Sequence, residues 1–386
     1  MTLKISSRGA VPSFIVMDVM RTANEMEVAG EHILHMEVGQ PSTGAPIGVV
    51  EAVKNILGNE VLGYTDAFGI QPLRQRIVDY YQQQHKIGVS VSRVIATVGS
   101  SGGFVLAFLA AFDVGDKVAL ASPGYPAYRN ILTALGVHVI DIPVAADTNF
   151  QPTSDHIERI VKNTTGGIDG LIIASPSNPT GTMITPNGLK DLCDVCARHQ
   201  IRLVSDEIYH GITYGEKASS VLEFTDQAII VNSFSKYYSM TGWRLGWMVL
   251  PDDLVRNVEC LAQNLFISPP AVSQYAGLAA FDCFDELDGN VKRYAQNRAL
   301  LLQELPNAGF DKLASADGAF YIYADVSDLT NDSQQFCARM LSETGVATTP
   351  GADFDPSRGH RFMRFSFARA FDDMELAVER LKNWNK

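Results

Sequence analysis

Short apolar runs alternate with amphipathic stretches through the middle of the chain, and this pattern constrains the fold more than any other feature. The runs are RVIATVG, DKVALASP, GVHVIDIPV, GLIIASP, IRLVSDE and AIIVNSFS, with helical patterns between most of them. Such alternation predicts an α/β fold whose sheet has many parallel strands flanked by helices. Ligands of such sheets collect beyond the carboxyl ends of the strands. The chemistry-bearing residues of this chain cluster at those ends.

The alternation weakens after about Pro269. A long helical stretch from Ala271 to about Leu305 leads into AFYIYADVSD and later HRFMRFSFA. This reads as a smaller α+β domain, with the N-terminal segment up to about Pro46 packing against it. The expected division is a large domain over 47–270 and a discontinuous small domain made of 1–46 and 271–386. A chain of 386 residues is long enough for both. No internal repeat or flexible linker is evident.

A formal net charge of −12 with no basic run argues against a nucleic-acid binder, which draws affinity from clustered Lys and Arg. The longest apolar stretches, such as Phe104 to Phe112, fall far short of the roughly 20 residues needed to cross a bilayer. The opening residues MTLKISSRGAVPS lack the apolar centre of a signal peptide, so the cytoplasm is the expected address. Five cysteines fit reduced thiols better than a disulfide framework. Cys193 and Cys196 form a CxxC, but they share one face of an apparent helix with Leu189 and Leu192, and no second pair completes a metal site. No metal is expected.

Three motifs carry the candidate chemistry. RVIATV runs into Gly99-Ser-Ser-Gly-Gly-Phe and an apolar helix, so a small-residue turn opens onto a helix N-terminus, where free N–H groups bind phosphate. Taken alone it could equally be a tight turn, and it is not the GxGxxG of a dinucleotide fold. Asp206 in LVSDEIY ends an apolar strand; a buried carboxylate needs a cation or several donors, and a protonated ring nitrogen would serve. A helix cap or a paired core acid is the plain alternative. Lys236 follows Val231-Asn-Ser-Phe-Ser, with Arg244 close downstream in TGWRLGW. Ser233, Ser235 and Arg244 can meet a phosphate, and a lysine beside them can form an imine with a carbonyl cofactor.

Together SPSNPTG (Ser175 to Gly181), DEIY (Asp206 to Tyr209) and SFSKYYSMTGWRLGW (Ser233 to Trp247) resemble the class I/II aminotransferases, pyridoxal-phosphate (PLP) enzymes of fold type I. The match runs in order from VGQP at Val38 to RFSFA near the C-terminus. The resemblance implies that Lys236 holds PLP as an imine and shuttles the substrate proton. Asp206 would pair with the ring nitrogen, Tyr209 and Asn178 would bond the phenolic oxygen, and Tyr125 would stack on the ring. Ser101, Gly102, Ser233, Ser235 and Arg244 would take the phosphate. Tyr64 matches a tyrosine that reaches the neighbouring subunit's phosphate, which implies a homodimer. Arg364, helped by Asn178 and the backbone near Gly39, would grip the substrate carboxylate. Gly102-Gly103 departs from relatives that carry an acidic or amide residue there, which opens the question of the phosphate donors.

The implied activity is transfer of an amino group between an L-amino acid and a 2-oxo acid in two half-reactions. A carbon–sulfur β-lyase is the alternative on the same fold, and a nicotinamide oxidoreductase or a transcription regulator fits poorly. A dicarboxylate substrate needs a second cation, for which Arg21, Arg129 and Arg293 are the candidates. Phe14, Ile15 and Met17 are expected near the side-chain pocket and lean toward apolar or aromatic amino acids, and the resemblance implies glutamate with 2-oxoglutarate for one half-reaction.

Overall fold

The computed structural model describes residues 3–385. Its main sheet has seven strands: β2 (Val94–Thr97), β3 (Lys117–Ser122), β4 (His138–Pro143), β5 (Gly170–Ala174), β6 (Arg202–Asp206), β7 (Ile229–Ser233) and β8 (Gly246–Val249). Their order is β2-β8-β7-β6-β5-β3-β4, with β8 antiparallel to both neighbours and the remaining pairs parallel. The six apolar runs named above are six of these strands. The seventh, β8, lies inside the stretch that drew attention for its arginine rather than for its apolar continuation.

All but the edge strand β4 read as continuous apolar runs because both faces are covered. Ile95, Val118, Leu120, Ile172, Val204, Ile229, Val231 and Met248 join one core cluster, against the helices Gly99–Ala111, Pro126–Leu135 and Asp252–Leu265. Ala96, Ala119, Leu171, Ile173, Leu203, Ile230, Trp247 and Val249 join the other. Gly103 explains its own identity: a Cβ there would come within 3.2 Å of Val231 and 3.4 Å of Met248, so glycine lets the helix lie close on β7 and β8. Cys193 and Cys196 are buried with Leu189 and Leu192 on the helix Pro186–His199, which Thr185 caps through the Gly188 N–H at 3.2 Å.

A second sheet is formed by β9 (Lys312–Leu313), β10 (Tyr321–Asp325), β12 (Thr349–Pro350) and β13 (Phe362–Ser366), all antiparallel in the order β12-β13-β10-β9. Near the N-terminus, β1 (Leu34–His35) pairs in parallel with β11 (Val346–Ala347). The first helix, Ile15–Val28, is tied to the C-terminal part of the chain by Asp353, whose Oδ1 accepts from the Ile15 N–H at 2.8 Å. The stretch after Pro269 is two helices, Ala271–Ala280 and Phe284–Glu304, broken at 281–283. Among the described residues no helix is long and apolar enough to cross a membrane.

Candidate active site

Because β2, β3, β5, β6 and β7 point the same way, their carboxyl ends lie along one edge of the sheet. The segments that follow them close one cavity. It is lined by Ser100 and Ser101 after β2, Tyr125 and Tyr128 after β3, Ala174 at the end of β5 with Pro176 and Asn178 beyond it, and Asp206, Ile208 and Tyr209 at and after the end of β6. Ser235, Lys236, Thr241 and Arg244 after β7 complete it.

Asp206 is 4% exposed at the end of β6. Its Oδ1 accepts from the Ile208 N–H at 3.0 Å and its Oδ2 from the Tyr128 hydroxyl. Burial still pushes the carboxyl up to about 6, against the pull of those two donors and of the Lys236 ammonium. An acid held in this way has a place for a cationic N–H. Beneath it, Glu207 is anchored by Ser220 Oγ at 2.9 Å and the Val221 N–H at 3.0 Å. His210 Nε2 donates to the Ser175 carbonyl at 3.1 Å. Burial, reinforced by His85, drives the His210 imidazole down to about 3, so it is neutral and one of its nitrogens serves that loop.

Lys236 Nζ donates to the Gly39 carbonyl at 2.5 Å. Burial lowers its pKa to about 8; the Arg364 and Arg244 guanidiniums push the same way and Asp206 opposes them. An amine so placed has a substantial neutral, nucleophilic fraction near physiological pH. Tyr209 is buried, its hydroxyl 2.6 Å from that of Tyr321. Glycine is required at position 39, where a Cβ would sit 1.8 Å from the Tyr321 hydroxyl.

At the start of the helix after β2, Gly99 has φ +66°, and a Cβ there would lie 2.6 Å from an Arg244 nitrogen. The arginine therefore approaches the helix start closely, its Nη1 bonded to the Thr241 carbonyl at 3.0 Å. Two expected residues, Gly102 and Ser233, do not line the cavity. The Gly102 N–H donates to the Val98 carbonyl at 3.3 Å, as it must one turn into a helix, and Ser100 beside Ser101 faces the cavity instead. Ser233 is buried behind the turn, donating to the Leu245 carbonyl at 3.0 Å and to Ser235 Oγ at 2.9 Å. Its hydroxyl shapes the turn that presents Ser235.

Arg364 rises from β13, opposite Tyr323 on β10 and Thr349 on β12. It is 3% exposed, with its Cζ 4.4 Å from the Tyr321 ring centroid and 4.8 Å from that of Phe354. Nη1 donates to Asn178 Oδ1 at 2.7 Å and Nη2 to the Glu37 carbonyl. No carboxylate among the described residues forms an ion pair with it. Tyr64 is 84% exposed and does not line this cavity.

The other expectations separate cleanly. Arg21 pairs with Asp18 and Arg129 with Asp141, while Arg293 stands apart from the cavity lining. Phe14 stacks on Tyr125 at 6.0 Å, but Ile15 faces a groove against the helix Ser333–Thr344 and Met17 is 49% exposed. Tyr128 and Tyr321 went unnoticed in the sequence. Tyr128 had a local signal, one helical turn after Tyr125; Tyr321 had none, since only the packing of β10 against the turn after β6 brings it to Tyr209.

An aspartate for a ring N–H, a lysine of lowered pKa and an arginine with two serines at a helix start fit PLP, so fold and cavity define a fold type I PLP enzyme. The family model described as aminotransferase class I and II matches residues 31–381. The chain belongs to that family: it is a PLP-dependent aminotransferase, moving an amino group between an amino acid and a 2-oxo acid. It is 48% identical over 388 residues to a valine–pyruvate aminotransferase of Mycobacterium tuberculosis, covering 100% of this chain and 99% of that one. Among solved structures, an aminotransferase from Mycobacterium tuberculosis superposes with TM-score 0.96 at 48% identity, with 99% of both chains covered. Aspartate aminotransferase from Thermus thermophilus with maleate superposes with TM-score 0.92 at 27% identity, covering 99% of this chain and 100% of that one.

Proposed function

We propose that the enzyme takes the amino group of a branched apolar L-amino acid, valine first, and passes it to pyruvate. The observation that carries this reading is the set of cations at the site. Lys236 and Arg244 line the cavity and Arg364 adjoins it through Asn178, while Arg21, Arg129 and Arg293 do not line it. With Lys236 and Arg244 committed to the cofactor, one guanidinium is left for one carboxylate. The full-length relative named for valine and pyruvate supports the same choice, and Phe14 against Tyr125 supplies apolar surface.

Bound PLP supplies the electron sink that lets a substrate Cα–H bond break. The chain's own groups do the rest. Asp206 holds the proton on the ring nitrogen, and Tyr209 with Asn178 meets the phenolic oxygen. Tyr125 covers the ring, and Ser100, Ser101, Ser235 and Arg244 hold the phosphate. Arg364 fixes the substrate carboxylate, and Lys236, neutral in part because it is buried, removes the Cα proton and returns it. We extend the proposal to a cytoplasmic homodimer in which Tyr64 completes the partner's phosphate site. Its exposure, beside Val61 at 96% and Leu57 at 61%, supports a covered apolar surface. The small domain would comprise 1–46 and 271–386.

The test is a half-reaction assay on the purified holoenzyme. L-valine, but not L-aspartate, should bleach the visible band of the bound cofactor, and pyruvate should restore it. Bleaching by aspartate at valine-like concentrations would overturn the single-cation reading.

A further inference from the structure

Arg364 is aimed by its acceptors, so whatever fixes those acceptors fixes its grip. The Glu37 carbonyl accepts from Arg364 Nη2 and from Thr349 Oγ1 at 2.8 Å, and Thr349 Oγ1 also accepts from Nη2 at 3.2 Å. That carbonyl is thus the shared anchor of both groups. The Glu37 side chain is 0% exposed, an expensive place for an acid that serves folding alone. Its Oε1 lies 2.8 Å from His35 Nδ1, and its Oε2 has no hydrogen-bond partner. His35 Nε2 faces Glu27 Oε1 at 3.2 Å, near the end of the first helix. The hydrogen bond to Glu37 raises the imidazole pKa above its ordinary value, and both carboxylates add to that while burial opposes it.

We propose that Glu37 and His35 are positioning residues for the carboxylate grip. The imidazole pins the Glu37 side chain to Glu27 on the first helix, so the Glu37 peptide keeps its carbonyl turned toward Arg364. The inference rests on the reading of Arg364 as the carboxylate-binding group. Because the α-carboxylate is common to both substrates, loosening the pin weakens both alike and leaves the Cα proton transfer at Lys236 untouched.

The experiment compares wild type with Glu37→Ala, Glu37→Gln, His35→Ala and Arg364→Lys as holoenzymes. It measures kcat and KM for L-valine and pyruvate, and the inhibition constant of isovalerate, a carboxylate that binds without reacting. Glu37→Ala and His35→Ala should each raise both KM values and the isovalerate constant roughly 5- to 10-fold, the scale of one weakened charge-assisted hydrogen bond. Their kcat should stay within about 2-fold, since an interaction made equally in ground and transition states moves KM alone. Glu37→Gln, which still accepts from Nδ1–H, should restore most of the affinity. If Glu37→Ala does not fold, His35→Ala carries the test, since His35 is less deeply buried than Glu37. Isovalerate binding within about 2-fold of wild type in His35→Ala, or a fall in kcat at unchanged KM, overturns the positioning role. Should Arg364→Lys itself leave the isovalerate constant unchanged, the parent reading fails; if only that variant weakens binding, the positioning inference alone fails.

Discussion

Replacing Arg364 by lysine tests the substrate site directly. The guanidinium donates to Asn178 Oδ1, the Glu37 carbonyl and Thr349 Oγ1 while packed between Tyr321 and Phe354. A planar fork so fixed can offer two parallel N–H groups to a carboxylate; an ammonium on a flexible stem offers a point charge and leaves acceptors unserved. Losing one hydrogen bond to a charged group costs about 1.5–3 kcal/mol, which lowers kcat/KM roughly 10- to 150-fold. Because no carboxylate among the described residues pairs with Arg364, nothing within the chain compensates. Steady-state assays with L-valine and pyruvate should show the loss in both KM values, with a smaller change in kcat. Unchanged KM for both substrates would refute the reasoning, since among the described residues no other cation at the cavity is free for the carboxylate.

Lys236→Ala should abolish multiple turnover, proton transfer alone contributing about 10²- to 10⁴-fold; near-wild-type turnover in that variant would remove the lysine from the chemistry. Tyr128→Phe removes the side-chain donor on Asp206, so the carboxyl pKa rises further and the acid limb of the kcat/KM profile moves to higher pH; an unmoved limb contradicts this. Asp206→Asn should stabilise the protein without its cofactor while destroying activity. Burial raises the Asp206 pKa from 3.8 to about 6, so the folded state binds the extra proton and wild-type stability falls as pH rises between those values. The variant should therefore gain on the order of 3 kcal/mol at pH 7 and little at pH 4, read by urea unfolding at both pH values. Equal stability at pH 7 would show that the carboxylate is not strained there.

Five of the six apolar runs were legible because a strand buried on both faces has no polar alternation to hide it; the sixth, the edge strand β4, was legible from its Val139, Ile140 and Ile142. The motifs at their ends were legible because Asp206 and Lys236 break those runs with charge. Arg364 and Asn178 were reachable through family resemblance alone, since they lie 186 residues apart and meet by a single hydrogen bond. Local geometry adds what the motif could not show. Gly102 gives its N–H to the helix and Ser233 gives its hydroxyl to Leu245, because groups one turn inside a helix or behind a turn are used by the backbone first.

By itself, then, the sequence determined six strands of the main sheet, the class of that sheet and the charged groups at its edge, all of which depend on neighbours along the chain. Only the tertiary structure decided which of those groups share a cavity, that Tyr128 and Tyr321 belong to it, and that a buried Glu37 stands behind Arg364. Hydrogen-bond partners and pKa values are set by what surrounds a group in space, and the residues around this site come from both ends of the chain and from two sheets.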